Sequence, residues 1–318
     1  MTETSLLSGL MIISLILLAA GLALLVLSGD LLVRGAVQAA ENLGISQLLI
    51  GLTVVSAGTS LPELLISVQA ALSGSPGIAL GNIVGSNIAN VLLVIGVPAL
   101  IKPIRPDGSG LRRNITVMVA ATLVFMLLLS NGMIGRLEGL LLFVSIVGFV
   151  AWQVWMARKA AANGHSPEPA HHDKLRVAGL LVGGLIGLPV AAQLTVNGGI
   201  GIAEAFNVPD TVIGLTVIAV GTSLPELATT VVAAYRGSTA IALGNVVGSN
   251  IFNILGIMGL TALIAPVAVD QHLISVDMWV MLGAAAAVAA LGFGRFTAGK
   301  WIGAAMLAIY TIYVVSLV

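Results

Sequence analysis

GLTVVSAGTSLPE occupies residues 51–63, and GLTVIAVGTSLPE occupies residues 214–226. A second phrase is also used twice: ALGNIVGSNIAN at 79–90 returns as ALGNVVGSNIFN at 242–253. Both repeats share one offset, 163 residues, which pairs Glu63 with Glu226 and Asn90 with Asn253. The register holds outside the phrases, where Glu41 matches Glu204, Gly44 matches Asn207 and Pro103 matches Pro266. Each copy sets one carboxylate inside an apolar stretch, where a charge is costly and by default marks a working site.

The surroundings are those of lipid. The chain is 58% hydrophobic and 8% charged, where soluble domains carry roughly 25% charged residues. Mean hydropathy is +1.11. The 38 glycines suit helices that pack closely in a membrane. A net charge of zero argues against nucleic acid as a partner. The absence of cysteine excludes disulfides and thiolate metal sites. The opening MTETSLL carries an acid and no base, and the apolar run that follows to Ser28 reads as a membrane helix, not a cleaved signal. No feature calls for a cofactor or an obligate protein partner.

Since a crossing takes about 20 apolar residues, the pattern predicts an all-α membrane protein of ten spans: 5–28, 35–72, 76–100, 113–130, 134–157, 175–196, 199–235, 239–264, 274–292 and 298–317. Spans 2 and 7 are too long for one straight helix, and each carries Gly-Thr-Ser-Leu-Pro at its middle, so a break is expected there. If both termini lie outside, 12 of the 13 Lys and Arg fall in or beside inner loops: Arg34; Lys102, Arg105, Arg112 and Arg113; Arg158, Lys159, Lys174 and Arg176; Arg236; Arg295 and Lys300. Arg136 alone is outside, which is the positive-inside bias. Five spans per copy is an odd number, so the second copy enters from the opposite side, giving an inverted repeat. The halves are 1–158 and 174–318, joined by a polar cytoplasmic linker, 159–173. His171, His172 and Asp173 in that linker read as a solvated loop in preference to a surface metal site, since nothing apolar organises them.

The chemistry follows from the break. Pro62 has no N–H, so the Gly58 carbonyl loses its helical partner. In lipid such an oxygen must be satisfied by something else, and a cation would do so. Thr59 and Ser60 stand one turn before Glu63. The second copy supplies Gly221, Thr222, Ser223, Pro225 and Glu226. In the other phrase, Ser86 and Asn90 share a face, as do Ser249 and Asn253, while Gly81 and Gly85, like Gly244 and Gly248, have the spacing of close helix contacts. All candidate ligands are hard oxygens, which suit Na⁺, Ca²⁺ or Mg²⁺ and disfavour zinc or copper. Ca²⁺ takes six to eight oxygens in flexible geometry, whereas Mg²⁺ gives up its water reluctantly. Two facing carboxylates repel without a cation or a proton between them. Glu41 and Glu204, near the starts of spans 2 and 7, read equally as interfacial or capping residues.

The doubled GTSLPE and GN(I/V)VGSNI phrases resemble the alpha-repeats of the cation/Ca²⁺ exchanger superfamily, and within it the prokaryotic sodium/calcium antiporters. The resemblance implies alternate binding of three Na⁺ or one Ca²⁺ in a four-site cluster between spans 2, 3, 7 and 8. It implies Glu63 and Glu226 as central Ca²⁺ ligands and backbone carbonyls from Thr59 and Thr222. Ser60, Ser86, Ser223 and Ser249, with the carbonyls of Ser56 and Ala219, would line Na⁺ sites, and Asn90 and Asn253 the middle. Spans 1 and 6 would slide over a fixed core, and a bacterial inner membrane would be the location. Two positions depart from the family pattern. Asn253 replaces an acid found in several relatives, which weakens the case for K⁺ co-transport, and Ser56 stands where Ala is common.

A H⁺-coupled Ca²⁺ antiporter on the same fold is the alternative. The proton-coupled relatives typically carry a further Glu in the second phrase, where this chain has Gly85-Ser86 and Gly248-Ser249. An intramembrane hydrolase using Ser60 or Ser223 would need an activating base, and His165, His171, His172 and His272 all fall in loops. A channel accords poorly with a broken-helix inverted repeat.

Overall fold

Long apolar runs in lipid leave the backbone to bond with itself, and the computed structural model is accordingly built from helices. It describes residues 3–106, 109–163, 169–206, 208, 219–269 and 276–317. The helices are α1 (Glu3–Leu43), α2 (Gln47–Thr59), α3 (Leu61–Leu72), α4 (Pro76–Ile101), α5 (Ser109–Leu129), α6 (Arg136–Ala162), α7 (Lys174–Ala205), α8 (Ala219–Thr222), α9 (Leu224–Tyr235), α10 (Thr239–Ile264), α11 (Met278–Gly294) and α12 (Lys300–Ser316). Among the described residues six helices are long and apolar enough to cross a bilayer, the bent pair α2 and α3 counts as a seventh if taken as one span, and α11 and α12 are shorter apolar helices. The expected seventh span is described from Ala219 onward; residues 209–218 lie outside the described residues, as do His165, Asn207 and His272.

Two boundaries differ from the sequence reading. The first helix does not stop at Ser28. It runs 41 residues to Leu43, where Gly44 at φ +60 turns the chain. The Gly44 and Ile45 N–H groups donate back to the Glu41 and Ala40 carbonyls, a closure that ends helices at glycine. Ser28-Gly29-Asp30 looked like a loop because it is small and polar; instead it is helix used for packing. Likewise Asn197-Gly198-Gly199 continues α7 to Ala205. Arg34, Glu41 and Glu204 are therefore helical residues in the second halves of α1 and α7.

The reason is a seam between these two helices, which run in opposite directions. A Cβ on Gly198 would lie 2.5 Å from the Leu18 nitrogen, one on Gly21 2.6 Å from the Thr195 nitrogen, and one on Gly184 2.6 Å from the Leu32 nitrogen. Gly201 meets Ser14, Gly187 meets Ser28 and Gly35 meets Leu181 in the same order. Small residues let the backbones touch, and dispersion at that range substitutes for the hydrophobic effect that lipid does not supply.

The remaining helices enclose a separate core, with Phe125, Met118, Ile88, Ile95 and Met258 buried. Its two ends are tied by short backbone pairings. At one end Met133–Ile134 pairs antiparallel with Val267–Ala268, a small exception to the all-α expectation. At the other, Ile104 bridges Ala298, bringing the basic segments around Lys102 and Lys300 together. The linker docks on α1: Glu41 Oε2 lies 2.7 Å from His172 Nε2, and the Asn42 side chain both donates to and accepts from the His172 backbone. Glu41 thus holds the linker.

Candidate ion-binding site

Serine and proline make the break. Ser60 ends α2 at φ −84, ψ 7, its N–H turned toward the Gly58 and Ser56 carbonyls. Pro62 then sits in the first turn of α3, where its missing N–H costs nothing. The two segments meet at 44°. Ser223 repeats the geometry at φ −89, ψ 4, with Pro225 in the first turn of α9. Each Glu follows in that same first turn. The flanking helices are distorted too: residues 51–55 and 252–258, the latter containing Asn253, are π-helical, a form common at functional positions.

Glu63, Glu226, Asn90, Asn253, Ser56, Ser223 and Ser249 are each fully buried, and Thr59, Ser60 and Ser86 nearly so. The copies interleave. Ser60 Oγ donates to Glu226 Oε1 at 3.1 Å. Thr59 Oγ1 donates to Asn245 Oδ1 at 3.2 Å. Ser249 lies beside the Glu226 carboxylate, and the two carboxylates are close enough to repel one another. The sequence reading placed Thr59 and Ser60 under their own Glu63; the hydroxyls instead reach the opposite copy. The approach is allowed by glycine. A Cβ on Gly248 would lie 2.5 Å from Ser56 Oγ, and one on Gly244 2.9 Å from the Leu48 carbonyl. A Cβ on Gly81 or Gly85 meets no described atom within 4 Å. Thr222 and the Ala219 backbone are in α8, and the Ala219 side chain is not described.

Both Glu63 carboxylate oxygens, Glu226 Oε2, Ser223 Oγ and all side-chain N and O atoms of Asn90 and Asn253 are buried without a hydrogen-bond partner among the described residues. Buried polar groups are paired in nearly all proteins, and an unpaired carboxylate is the costliest exception. Unpaired carboxylate, hydroxyl and amide oxygens buried together fit a bound cation.

The structure adds residues that the repeat contained but that were not singled out. Asn82 Nδ2 donates to the Glu63 carbonyl at 3.1 Å and to Ser67 Oγ at 2.9 Å. At the same offset, Asn245 Nδ2 donates to the Glu226 carbonyl at 3.4 Å and to Thr230 Oγ1 at 3.1 Å. These amides fix the backbone at each Glu. The signal was present, since both asparagines follow the first Gly of the second phrase. Asn82→Ala and Asn245→Ala are each expected to weaken apparent Ca²⁺ affinity about tenfold, the worth of a buried hydrogen bond or two, in a protein that still elutes as a single species; a binding isotherm unchanged in both would remove the positioning role.

One contact distinguishes the copies. The Gly29 position of α1 presses on the Ala228 backbone of α9, a hypothetical Cβ being 3.3 Å away. Its equivalent would join Ala192 of α7 to Leu65 of α3, yet Leu65 is 68% exposed. α1 covers α9, and α7 leaves α3 uncovered.

The family model described as sodium/calcium exchanger protein matches this chain twice, over residues 13–155 and 176–318, again 163 residues apart. The chain belongs to the sodium/calcium exchanger family. This exchanger-family protein is 40% identical to the putative antiporter CaxA of Alkalimonas amylolytica, over 87% of this chain and 89% of that one. It is 32% identical to the sodium/calcium exchanger MaX1 of Methanosarcina acetivorans, over 96% of this chain and 98% of the other. Among solved structures it is similar to the sodium-calcium exchanger NCX_Mj soaked with Na⁺ and Sr²⁺, with a TM-score of 0.84, 33% identity, and coverage of 96% and 99% of the two chains. The family is one of transporters, so the buried serines are not nucleophiles of an enzyme.

Proposed function

We propose that the chain exchanges Na⁺ for Ca²⁺ across a bacterial inner membrane by alternating access, in ten spans arranged as two inverted five-helix halves with both termini outside. The observation that carries this reading is the pair of buried carboxylates, one from each copy, with oxygens left unpaired among the described residues. Glu63 and Glu226 are the shared ligands of Ca²⁺ and Na⁺. Thr59, Thr222, Ser56 and Ala219 offer backbone carbonyls, Ser60, Ser86, Ser223 and Ser249 hydroxyls, and Asn90 and Asn253 amide oxygens between them.

Exchange, as opposed to leak, follows from charge. An empty site carries two uncompensated carboxylates, and moving these past low-dielectric walls is costly. A divalent ion, or several monovalent ones, cancels that charge and lets the helices shift. Transit is then cheap only when loaded, so one ion's exit waits on another's entry. The uncovered α3 and covered α9 support access from the side at which α3 ends, which is the outer side in the proposed topology.

Purified protein in vesicles is expected to accumulate ⁴⁵Ca²⁺ when an outward Na⁺ gradient is imposed. Uptake driven by a pH gradient, with none from Na⁺, would replace this reading with the proton-coupled one.

A further inference from the structure

The Asp30 carboxylate on α1 takes two cations. Arg34 Nη2 is 2.7 Å away, one turn on. Arg236, immediately after α9, reaches the same carboxylate from the other half of the chain. On the far side of this junction Lys102, just past α4, donates to the Tyr235 carbonyl at 3.2 Å. The end of α9 is therefore tied to α1 by an ion pair and to α4 by a charged hydrogen bond.

The repeat supplies its own control. At offset 163, Asp30 becomes Gln193, and Arg34 becomes Asn197; Arg236 stands opposite Ser73 and Lys102 opposite Ala265. Gln193 Nε2 donates to Asn197 Oδ1 at 2.8 Å, so the local i, i+4 pair persists in neutral form. The link to the other copy has no charged equivalent. The geometry of the pair survives duplication; its charge does not.

We propose that Asp30 and Arg236 form a one-sided latch that holds the basic face of the protein shut, so that the resting equilibrium favours the state closed there and open at α3. The inference rests on the alternating-access reading, in which α1 must leave α9 when that face opens. Opening breaks the ion pair, while closing the opposite face forms only neutral contacts between Gln193 and Ser73. The two states, otherwise related by the repeat, then differ in free energy. Side-chain exposure of 23% for Asp30 and 37% for Arg236 keeps the bias modest and sensitive to salt. Asp30 and Arg236 touch no ion ligand and act by positioning α1.

The chain has no cysteine, so Leu43→Cys on α1 and Ile101→Cys on α4, both at exposed positions, can carry spin labels without background. Distances are measured in ion-free nanodiscs by pulsed dipolar spectroscopy. D30N and R236Q are each expected to raise the minor distance population about three- to fivefold, the double substitution no further than either single one, and the exchange D30R/R236D to restore the original distribution. Distributions unchanged across all four, with ⁴⁵Ca²⁺ exchange intact, would overturn the latch. Absence of exchange with the distances still shifting would overturn the transport reading and leave the latch standing.

Discussion

Glu63→Gln and Glu226→Gln are each expected to abolish Ca²⁺ transport while leaving a folded protein. Both carboxylates are fully buried, so bulk solvent does little to screen their charge. Removing one partner from a buried charge pair costs about 3–5 kcal/mol, which is roughly a hundred- to several-thousandfold loss in Ca²⁺ affinity. Glutamine keeps the shape and one oxygen, and it removes the repulsion between the two acids. The melting midpoint in ion-free buffer is therefore expected to hold or rise, while the stabilisation that Ca²⁺ confers by mass action disappears. Glu41→Gln, at a residue engaged with His172, serves as the control and is expected to transport normally. Wild-type ⁴⁵Ca²⁺ exchange by either site variant would sink the assignment.

The second large effect is steric. Leucine at Gly184 or Gly198 places a Cβ within 2.6 Å of backbone nitrogen in α1, and a backbone cannot rotate aside as a side chain can. α1 and α7 must separate along the seam, at a cost of about 3 kcal/mol or more. The expected readout is a melting midpoint lowered by about 5–10 °C in detergent, with exchange lost because the two helices no longer move together. Gly179 lies on the same helix and a Cβ there meets no described atom; Gly179→Leu is expected to melt and transport like the parent. Equal melting of all three variants would mean that the seam does not hold the pair.

Much of this was legible in one dimension because membranes restrict the options. Apolar runs must be helices, a Pro within one must break it, and a carboxylate within one must have a partner. The repeated Gly-Thr-Ser-Leu-Pro-Glu therefore declared both the break and the charge. The end of the first helix was harder to read. Ser28-Gly29-Asp30 has the composition of a loop, and only the presence of α7 and α9 against it makes a helix the better use of those residues. The direction in which Thr59 and Ser60 point was equally hidden, since spacing along one helix cannot show that the nearest carboxylate belongs to another.

The sequence by itself determined that this protein lies in lipid, that it is built twice over, and that each copy contributes one acid beside a broken helix. Those follow from local chemistry and a common register. Only the tertiary structure decided that Ser60 serves Glu226, that Asn82 and Asn245 hold the backbone at the two acids, and that α1 covers one copy while α7 leaves the other bare. Within the two repeated phrases, residues 163 apart have nearly the same local sequence, so local sequence there cannot distinguish them. The packing of the long helices does, because a helix pressed against one copy cannot at the same time be pressed against the other.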